Sequence, residues 1–97
     1  MQFRFFGRPE AFEWDLDKAD SNLRKHDIDF EEAISVFHGP TLDSLTLRRG
    51  ELRVMSIGLL DGVEVAVVYA VRGSTFRIIS ARKAYKHERR AYREVFP

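Results

Sequence analysis

Three glycine turns at nearly even spacing in the second half of the chain constrain the fold more than any other feature. The turns are Arg49-Gly50, Asp61-Gly62 and Arg72-Gly73. They separate four strand candidates near residues 43–48, 51–59, 63–71 and 75–82. Because turns this short join antiparallel neighbours, the sequence predicts an antiparallel four-stranded meander in which each strand pairs with the next.

Helical patterns flank these strands. Asp15 and Asp29 are suitable N-caps, and Glu32 lies three residues after Asp29, the capping-box spacing. The first helix has a predicted inward stripe of Leu16, Ala19 and Leu23, and the second has Phe30, Ala33, Ile34 and Phe37. The predicted fold class is α+β, with two N-terminal helices packed on the four-stranded meander and a basic C-terminal helix after it.

Length and composition indicate one small domain. Ninety-seven residues with a 44% apolar fraction suffice for one modest core, so residues 1–97 are expected to form a single domain. Residues 1–11 are an N-terminal extension of unassigned structure, in which the alternation of residues 2–6 is compatible with a strand. The chain has no cysteine, membrane-length apolar run or signal-peptide core, so we expect a cytoplasmic protein with no membrane contact.

Charge is unevenly distributed, although the net charge is only +1. Residues 9–64 contain 13 Asp or Glu against six Lys or Arg, whereas residues 65–97 contain eight Lys or Arg against two Glu. At helical spacing, one basic stripe is predicted to consist of Lys83, Lys86, Arg90 and Arg93. This stripe is interpreted as an RNA-binding surface, and the alternative is a solvated charged helix face.

Several kinds of chemistry have no support in the residues. There is no glycine-rich phosphate loop, and the three histidines lack metal-ligand spacing, so neither a metal site nor a cofactor is expected. A cationic set remains, formed by Lys25, His26, Arg53, Arg77, Arg82 and Lys83, with Tyr85 and Tyr92 nearby. Such residues suit metal-independent RNA cleavage, in which a 2′-OH attacks the adjacent phosphorus and positive charge stabilises the phosphorane.

A series of linked motifs resembles the BrnT family of bacterial toxins over about residues 12–93. The motifs are Phe12-Glu13-Trp14-Asp15, Lys18-Ala19 with Asn22-Leu23-Arg24-Lys25-His26, Phe30-Glu31-Glu32-Ala33 with Val36-Phe37, Arg77-Ile78-Ile79-Ser80-Ala81-Arg82-Lys83, and Glu88-Arg89-Arg90 with Tyr92. The resemblance implies a RelE-like ribonuclease toxin of a type II toxin–antitoxin system that arrests translation. It also implies neutralisation by a BrnA-like antitoxin, in a heterotetramer or larger complex that binds operator DNA through the antitoxin.

Carried onto this chain, the resemblance implies a catalytic set whose members come from both helix and sheet. Its members are Lys25, Arg77 and Arg82, followed by His26, Arg53 and Tyr92. Arg77 and Arg82 are an odd number of residues apart, so an ideal strand points them to opposite faces. They share a site only if a bulge intervenes or if Arg82 lies beyond the strand end.

Two other interpretations remain compatible with the sequence. In the first, the chain is a non-catalytic nucleic-acid or antitoxin-binding module that uses its basic C-terminal helix. In the second, it is an inactive remnant kept as a folding partner of the antitoxin.

Overall fold

The computed structural model describes residues 9–97, which form five strands, three α-helices and one 3₁₀ helix. The strands are β1 (Ala11–Glu13), β2 (Leu42–Arg48), β3 (Glu51–Leu60), β4 (Val63–Arg72) and β5 (Thr75–Lys83). The helices are α1 (Leu16–His26), α2 (Phe30–Ala33), the 3₁₀ helix (Ile34–His38) and α3 (Lys86–Val95). The strand proposed for residues 2–6 lies outside the described residues.

The predicted meander is confirmed. β2, β3, β4 and β5 are neighbours in chain order, and each pair is antiparallel. In the first two turns both central residues have positive φ, with Asp61 at 50° and Gly62 at 80° as one example. Such turns match the right-handed twist of the strands, which explains why short polar–glycine pairs stand there.

The prediction of four strands in an all-antiparallel sheet is wrong, because β1 adds a fifth strand in parallel with β5. Phe12 in β1 is the physical reason. Its ring stacks on Phe37 at 5.6 Å between centroids and meets Phe76 edge-on at 6.2 Å. A three-residue strand gains this burial only from the assembled core, so its own short sequence does not predict its partner.

The larger core lies between the sheet and the helices α1 and α2. It contains Phe30, Phe37, Tyr69, Phe76 and Ile78, all at most 2% exposed. Both predicted N-caps are confirmed, because Asp15 accepts hydrogen bonds from the N–H groups of residues 17 and 18, and Asp29 accepts one from that of residue 31.

The predicted inward stripe of α1 is correct only for Ala19, which packs against the larger core. Leu16 and Leu23 are 79% and 40% exposed, and Asn22 is the residue of α1 that is buried. Asn22 exchanges hydrogen bonds with the backbone of Ala81 in β5, which turns the polar side of the helix toward the sheet. The second predicted helix also differs, since α2 is a single turn that continues as the 3₁₀ helix.

α3 packs on the opposite face of the sheet and makes a second, smaller core. Tyr92 and Ala84 lie there against Leu42, Ile57 and Ala66. α3 covers only one end of this face. We call the rest of this face the open face. By strand register it contains Arg53, Met55, Val68, Arg77 and Ser80, with Met55 at its border with the second core. None of the helices in residues 9–97 is both long enough and apolar enough to span a membrane.

Candidate nucleic-acid interface

A β-bulge in β5 brings two of the predicted arginines to the same side of the sheet. Consecutive β4 residues pair with β5 residues on either side of Ile79, so Ile79 is the extra residue. Arg77 therefore lies opposite Ala70 and Arg82 opposite Ala66, and those two alanines share a face because they are four residues apart. The bulge thus provides the condition under which Arg77 and Arg82 can serve one site.

Arg53 joins Arg77 in a row across three strands. Both residues lie opposite Ala70, one from β3 and one from β5, which sets their Cα atoms about 10 Å apart at ordinary strand spacing. Their side chains are 28% and 32% exposed, so solvent reaches both guanidinium groups. Beside them the open face has a cavity of about 210 Å³ lined by Thr46, Arg48, Arg53, Val54, Met55 and Val68.

Two glutamates partly neutralise this row. Glu13 lies 3.5 Å from Arg77 and 3.9 Å from Arg72, and Glu51 lies 3.4 Å from Arg72 and 3.3 Å from Arg53. The Arg53 hydrogen bond is the main reason why the pKa of Glu51 is lowered. Ion pairs this long and this exposed contribute little to stability, so a phosphate can displace the carboxylates.

Arg82 is bound much more tightly than the other arginines. Its two terminal nitrogens donate to Glu88 at 2.7 and 3.0 Å, and its guanidinium lies 3.8 Å from the centre of the Tyr85 ring. Burial by itself raises the pKa of Glu88, but the Arg82 bonds and the Tyr85 backbone N–H together bring it below its usual value. The charge of Arg82 is therefore matched by a buried carboxylate, although Arg82 also approaches Met55 of the open face at 3.7 Å.

Lys25 and His26 lie in a cleft between α1 and β5. The cleft has a volume of about 260 Å³ and is lined by Lys18, Ser21, Asn22, Lys25, His26, Ile79 and Ser80. Ser80 lies opposite Val68 and so also belongs to the open face. Ser80 is therefore shared by the cleft and the open face, whereas Arg53 and Arg77 do not line the cleft.

Tyr92 does not join this surface. It is 2% exposed, its hydroxyl donates to the carbonyl of Pro40 at 3.1 Å, and its ring lies 4.9 Å from that of Phe96. Burial, followed by the negative charge of Glu64, raises the pKa of the Tyr92 phenol. These contacts give Tyr92 a packing role in the second core.

The predicted basic stripe is shorter on the helix than expected. Lys83 is the last residue of β5, and α3 begins only at Lys86 because Glu88 accepts the backbone N–H of Tyr85 and caps the helix there. Lys86 and Arg90 are exposed, and they line a groove of about 370 Å³ with Arg89, Arg93 and Glu94.

Arg93 is also paired, since it donates to both carboxylate oxygens of Glu64 at 2.9 and 3.0 Å. This pairing is the main reason why the pKa of the buried Glu64 is lowered. Arg93 is itself exposed, but Lys83, Lys86 and Arg90 are exposed and belong to none of the ion pairs found among the described residues. These three cations are therefore the ones most accessible to a phosphate.

Sequence reasoning missed three buried polar residues that bond either these cations or the strand β5. Asn22, Glu64 and Glu88 are at most 6% exposed, and each bonds a residue far away in the chain or on another element. The only local signal was the three-residue spacing from Tyr85 to Glu88, and a tyrosine is not a usual capping-box residue. In the part of the chain that the structure describes, no group of three or more His, Asp or Glu side chains is placed to hold a metal ion.

Comparison with known protein families shows which family the chain belongs to. A family model described as "Ribonuclease toxin, BrnT, of type II toxin-antitoxin system" matches residues 14–88, which include the cleft, the bulge and Glu88. The chain belongs to the BrnT family. It is therefore a ribonuclease toxin of the type II toxin–antitoxin class by family.

A solved structure agrees with this assignment. The chain is similar to the Brucella abortus ribonuclease toxin BrnT, known from a 1.1 Å crystal structure, with 28% sequence identity and a TM-score of 0.62. The match covers 78% of this chain and 97% of the Brucella chain. No match to a curated protein sequence is found.

Proposed function

We propose that this BrnT-family chain cleaves RNA on the open face, without a metal ion, by attack of the substrate's own 2′-OH. The observation that carries the proposal is the row of Arg53 and Arg77, two solvent-accessible guanidinium groups on one face. The row lies on the same sheet face as Ser80, and Ser80 also lines the cleft that holds Lys25 and His26. Cleavage of RNA in the bacterial cytoplasm is proposed to stop translation.

The chemistry needs three kinds of group, and we assign each of them to side chains of the open face or of the cleft. When the 2′-oxygen bonds to phosphorus and the bond to the 5′-oxygen breaks, one group takes the 2′-OH proton and another gives a proton to the leaving oxygen. His26 and Lys25 are the side chains proposed to move these protons. Arg53 and Arg77 are proposed to stabilise the phosphorane, because a guanidinium matches two phosphate oxygens and remains charged.

The remaining predicted site residues receive supporting roles in this proposal. Arg82 holds the junction of β5 and α3 through Glu88, and Tyr92 packs beneath α3. Lys83, Lys86, Arg90 and Arg93 are proposed to contact phosphates of the RNA strand that flank the cleavage point. The α+β fold, with a basic helix beside the open face, also supports grouping the chain with RelE-like ribonucleases.

The proposed protein partner is a BrnA-like antitoxin with a ribbon-helix-helix DNA-binding part. The family description implies an antitoxin, and the exposed cations Lys83, Lys86 and Arg90 favour contact with an acidic segment. We propose a heterotetramer or larger complex that binds operator DNA through the antitoxin.

One observation favours the alternative of a non-catalytic nucleic-acid or antitoxin-binding module. Glu13 and Glu51 already pair with the arginines of the open face, whereas the exposed cations of α3 remain directed to solvent. A module of this kind binds phosphate along α3 and performs no chemistry.

The deciding experiment uses purified, antitoxin-free protein with a single-stranded RNA and a DNA of the same sequence. We expect cleavage of the RNA alone, undiminished by a chelator, with 2′,3′-cyclic phosphate or 3′-phosphate ends, because the 2′-OH is the nucleophile. Binding without cleavage of any RNA supports the alternative module. Cleavage that needs Mg²⁺ and leaves 5′-phosphate ends contradicts the mechanism.

Arg77→Ala tests the charge-stabilising role within the same assay. We expect cleavage to fall by about 10²-fold, the usual effect of losing one preorganised donor to the transition state. RNA binding should fall much less, with the log–log salt slope changing by about 0.7 for one lost phosphate contact. The matched control is Arg24→Ala on α1, since Arg24 is 73% exposed and pairs only loosely with Asp20 at 3.7 Å. Equal losses in the two variants contradict a specific role for Arg77.

A further inference from the structure

β5 lacks a neighbouring strand along much of its outer edge. β1 pairs with its first three residues and stops at Arg77, whereas β5 continues to Lys83. Backbone groups at such an edge need other hydrogen-bond partners when they are buried. The bulge at Ile79 lies within this uncovered part of the strand.

The side chain of Asn22 takes the place of the missing strand. Its Nδ2 donates to the carbonyl of Ala81 at 2.9 Å, and the N–H of Ala81 donates to its Oδ1 at 3.1 Å. The second proton on Nδ2 is donated to the carbonyl of Ile28 at 3.0 Å. Asn22 is 6% exposed, so water does not replace these bonds. If the side-chain amide of Asn22 were rotated by 180°, its NH₂ group would face the N–H of Ala81, and two donors would oppose each other. Only the observed orientation therefore satisfies the Ala81 N–H and the carbonyls of Ala81 and Ile28.

This contact lies on the far side of the bulge from β1. The pairing of Glu13 with Arg77 holds β5 before Ile79, and Asn22 holds it after Ile79, at Ala81. The bulge is therefore held from both sides. Because the bulge decides which face each later side chain of β5 occupies, its position decides whether Arg77 shares a face with Ser80.

The same residue also connects α1 to this strand. Lys25 and His26 follow Asn22 by three and four residues, so they lie on the same side of the helix as Asn22. All three line the cleft against Ile79 and Ser80. The hydrogen bonds of Asn22 thus set the separation between the cations of α1 and the surface of β5.

We propose that Asn22 is a positioning residue for RNA cleavage, which holds Lys25 and His26 at a fixed distance from the bulged segment that carries Arg77. The proposal rests on the proposed function. Asn22 itself contacts no reacting atom. Its loss is expected to disturb the relative placement of proton-moving and charge-stabilising groups, while the phosphate contacts of α3 stay in place.

Asn22→Ala tests the proposal by separating kcat from KM. We expect kcat for RNA cleavage to fall by about 10- to 100-fold, the range expected when catalytic groups are displaced by about 1 Å. KM and RNA binding should change by less than about threefold, since the exposed cations remain. Should the alanine variant fail to fold, Asn22→Gln keeps the amide and displaces it by one methylene group, and it is expected to show a smaller fall in kcat.

The matched control is Ser56→Ala, which also removes buried hydrogen bonds but touches neither α1 nor β5. Ser56 bonds Asp43 at 2.6 Å and Tyr69 at 2.7 Å. This variant should lower Tm and leave kcat within about twofold, because the lost bonds lie outside the cleft. If both variants lose cleavage in proportion to their Tm, or if Asn22→Ala keeps wild-type kcat, the proposal is overturned.

Amide hydrogen exchange provides a readout that needs no activity. The N–H of Ala81 should exchange faster in Asn22→Ala than in Ser56→Ala at matched stability. Unchanged protection at Ala81 overturns the proposal even if cleavage falls. A wild-type protein that cleaves no RNA overturns the proposed function, while the exchange experiment still decides whether Asn22 holds β5.

Discussion

Arg77 and Arg82 lie on the same face of β5, yet their carboxylate partners give them different roles. Arg77 is 3.5 Å from a Glu13 side chain that is 43% exposed, whereas Arg82 is 2.7 Å from a Glu88 side chain that is 4% exposed. An exposed pair contributes about 0–1 kcal/mol, but removing one partner of a buried pair costs about 3–5 kcal/mol. A loss of activity after Arg82→Ala therefore combines chemistry with stability, and Arg77 is the better probe of the site.

Acid stability is predicted to depend on Glu88. Its folded-state pKa is lowered, so its contribution is present above its unfolded pKa of about 4.3 and is lost as the pH falls through the folded value. Glu88→Gln removes this contribution and leaves Arg82 without its carboxylate. We expect the free energy of unfolding near pH 7 to fall by about 3–5 kcal/mol, with a shallower decline toward acid pH. Urea unfolding at a series of pH values measures both effects.

Glu94→Gln is the control for this prediction, because Glu94 lies exposed on the same helix. Its stability should stay within about 0.5 kcal/mol of the wild type. An equally steep acid decline in Glu88→Gln and the wild type would show that the Arg82–Glu88 pair does not govern acid unfolding.

At the scale of elements, the approach of the 3₁₀ helix to β3 depends on a single glycine. A Cβ atom at Gly58 comes within 2.9 Å of the Val36 Cβ and 3.3 Å of Thr41 Cγ2. Gly58 is buried, and its backbone φ is not in the left-handed region, so the requirement is for space. The absence of a side chain lets the 3₁₀ helix lie directly on the strand.

Gly58→Ala is therefore expected to destabilise the fold by about 1–3 kcal/mol, the usual cost of overpacking a close contact. Thermal or urea unfolding measures the change. Gly39→Ala is a suitable control, since a Cβ atom added at Gly39 meets nothing within 4 Å and the φ of −114° suits any residue. Similar stability of the Gly58 and Gly39 variants would contradict the role assigned to this contact.

At the scale of the whole molecule, a net charge of +1 conceals two oppositely charged regions. Lys86 and Arg90 face solvent on α3, whereas Asp17, Asp20, Asp29 and Glu31 border a groove beside α1. Opposite surfaces of this kind steer charged partners to one side of a protein. The basic side is the one adjoining the open face.

The double charge reversal of Lys86 and Arg90 to Glu is predicted to weaken binding to both RNA and an acidic antitoxin. The effect should be larger at low salt than at high salt, because screening reduces the contribution of surface charge. The rate of the chemical step at saturating RNA should change little. Binding titrations at several salt concentrations measure the affinities, and single-turnover cleavage measures the rate of the chemical step.

Reversal of Arg24, on α1, and Arg49, in the turn between β2 and β3, changes the net charge equally on other elements, and it serves as the control. If antitoxin capture and RNA binding are the same in the two double variants, the basic surface of α3 is not the binding surface.

Features set by neighbours in the chain could be predicted from the sequence. The three polar–glycine turns, the alternating strands between them and the caps Asp15 and Asp29 all act within a few residues. They determined the meander and the starts of α1 and α2, because turn and cap preferences are local properties of the backbone. The family motifs also belong to this level, and they directed attention first to Lys25, Arg77 and Arg82.

The tertiary structure alone decided which of those residues share a face of the sheet. The single extra residue Ile79 reverses the face of everything after it, and no local pattern marks that position. The side of α1 that faces the sheet was settled by a buried amide, since the bonds from Asn22 to Ala81 join residues 59 positions apart. Hydrophobic periodicity assigns leucines to the core by default. A buried hydrogen-bond network overrides it because an unsatisfied backbone edge costs more than leaving Leu16 and Leu23 exposed.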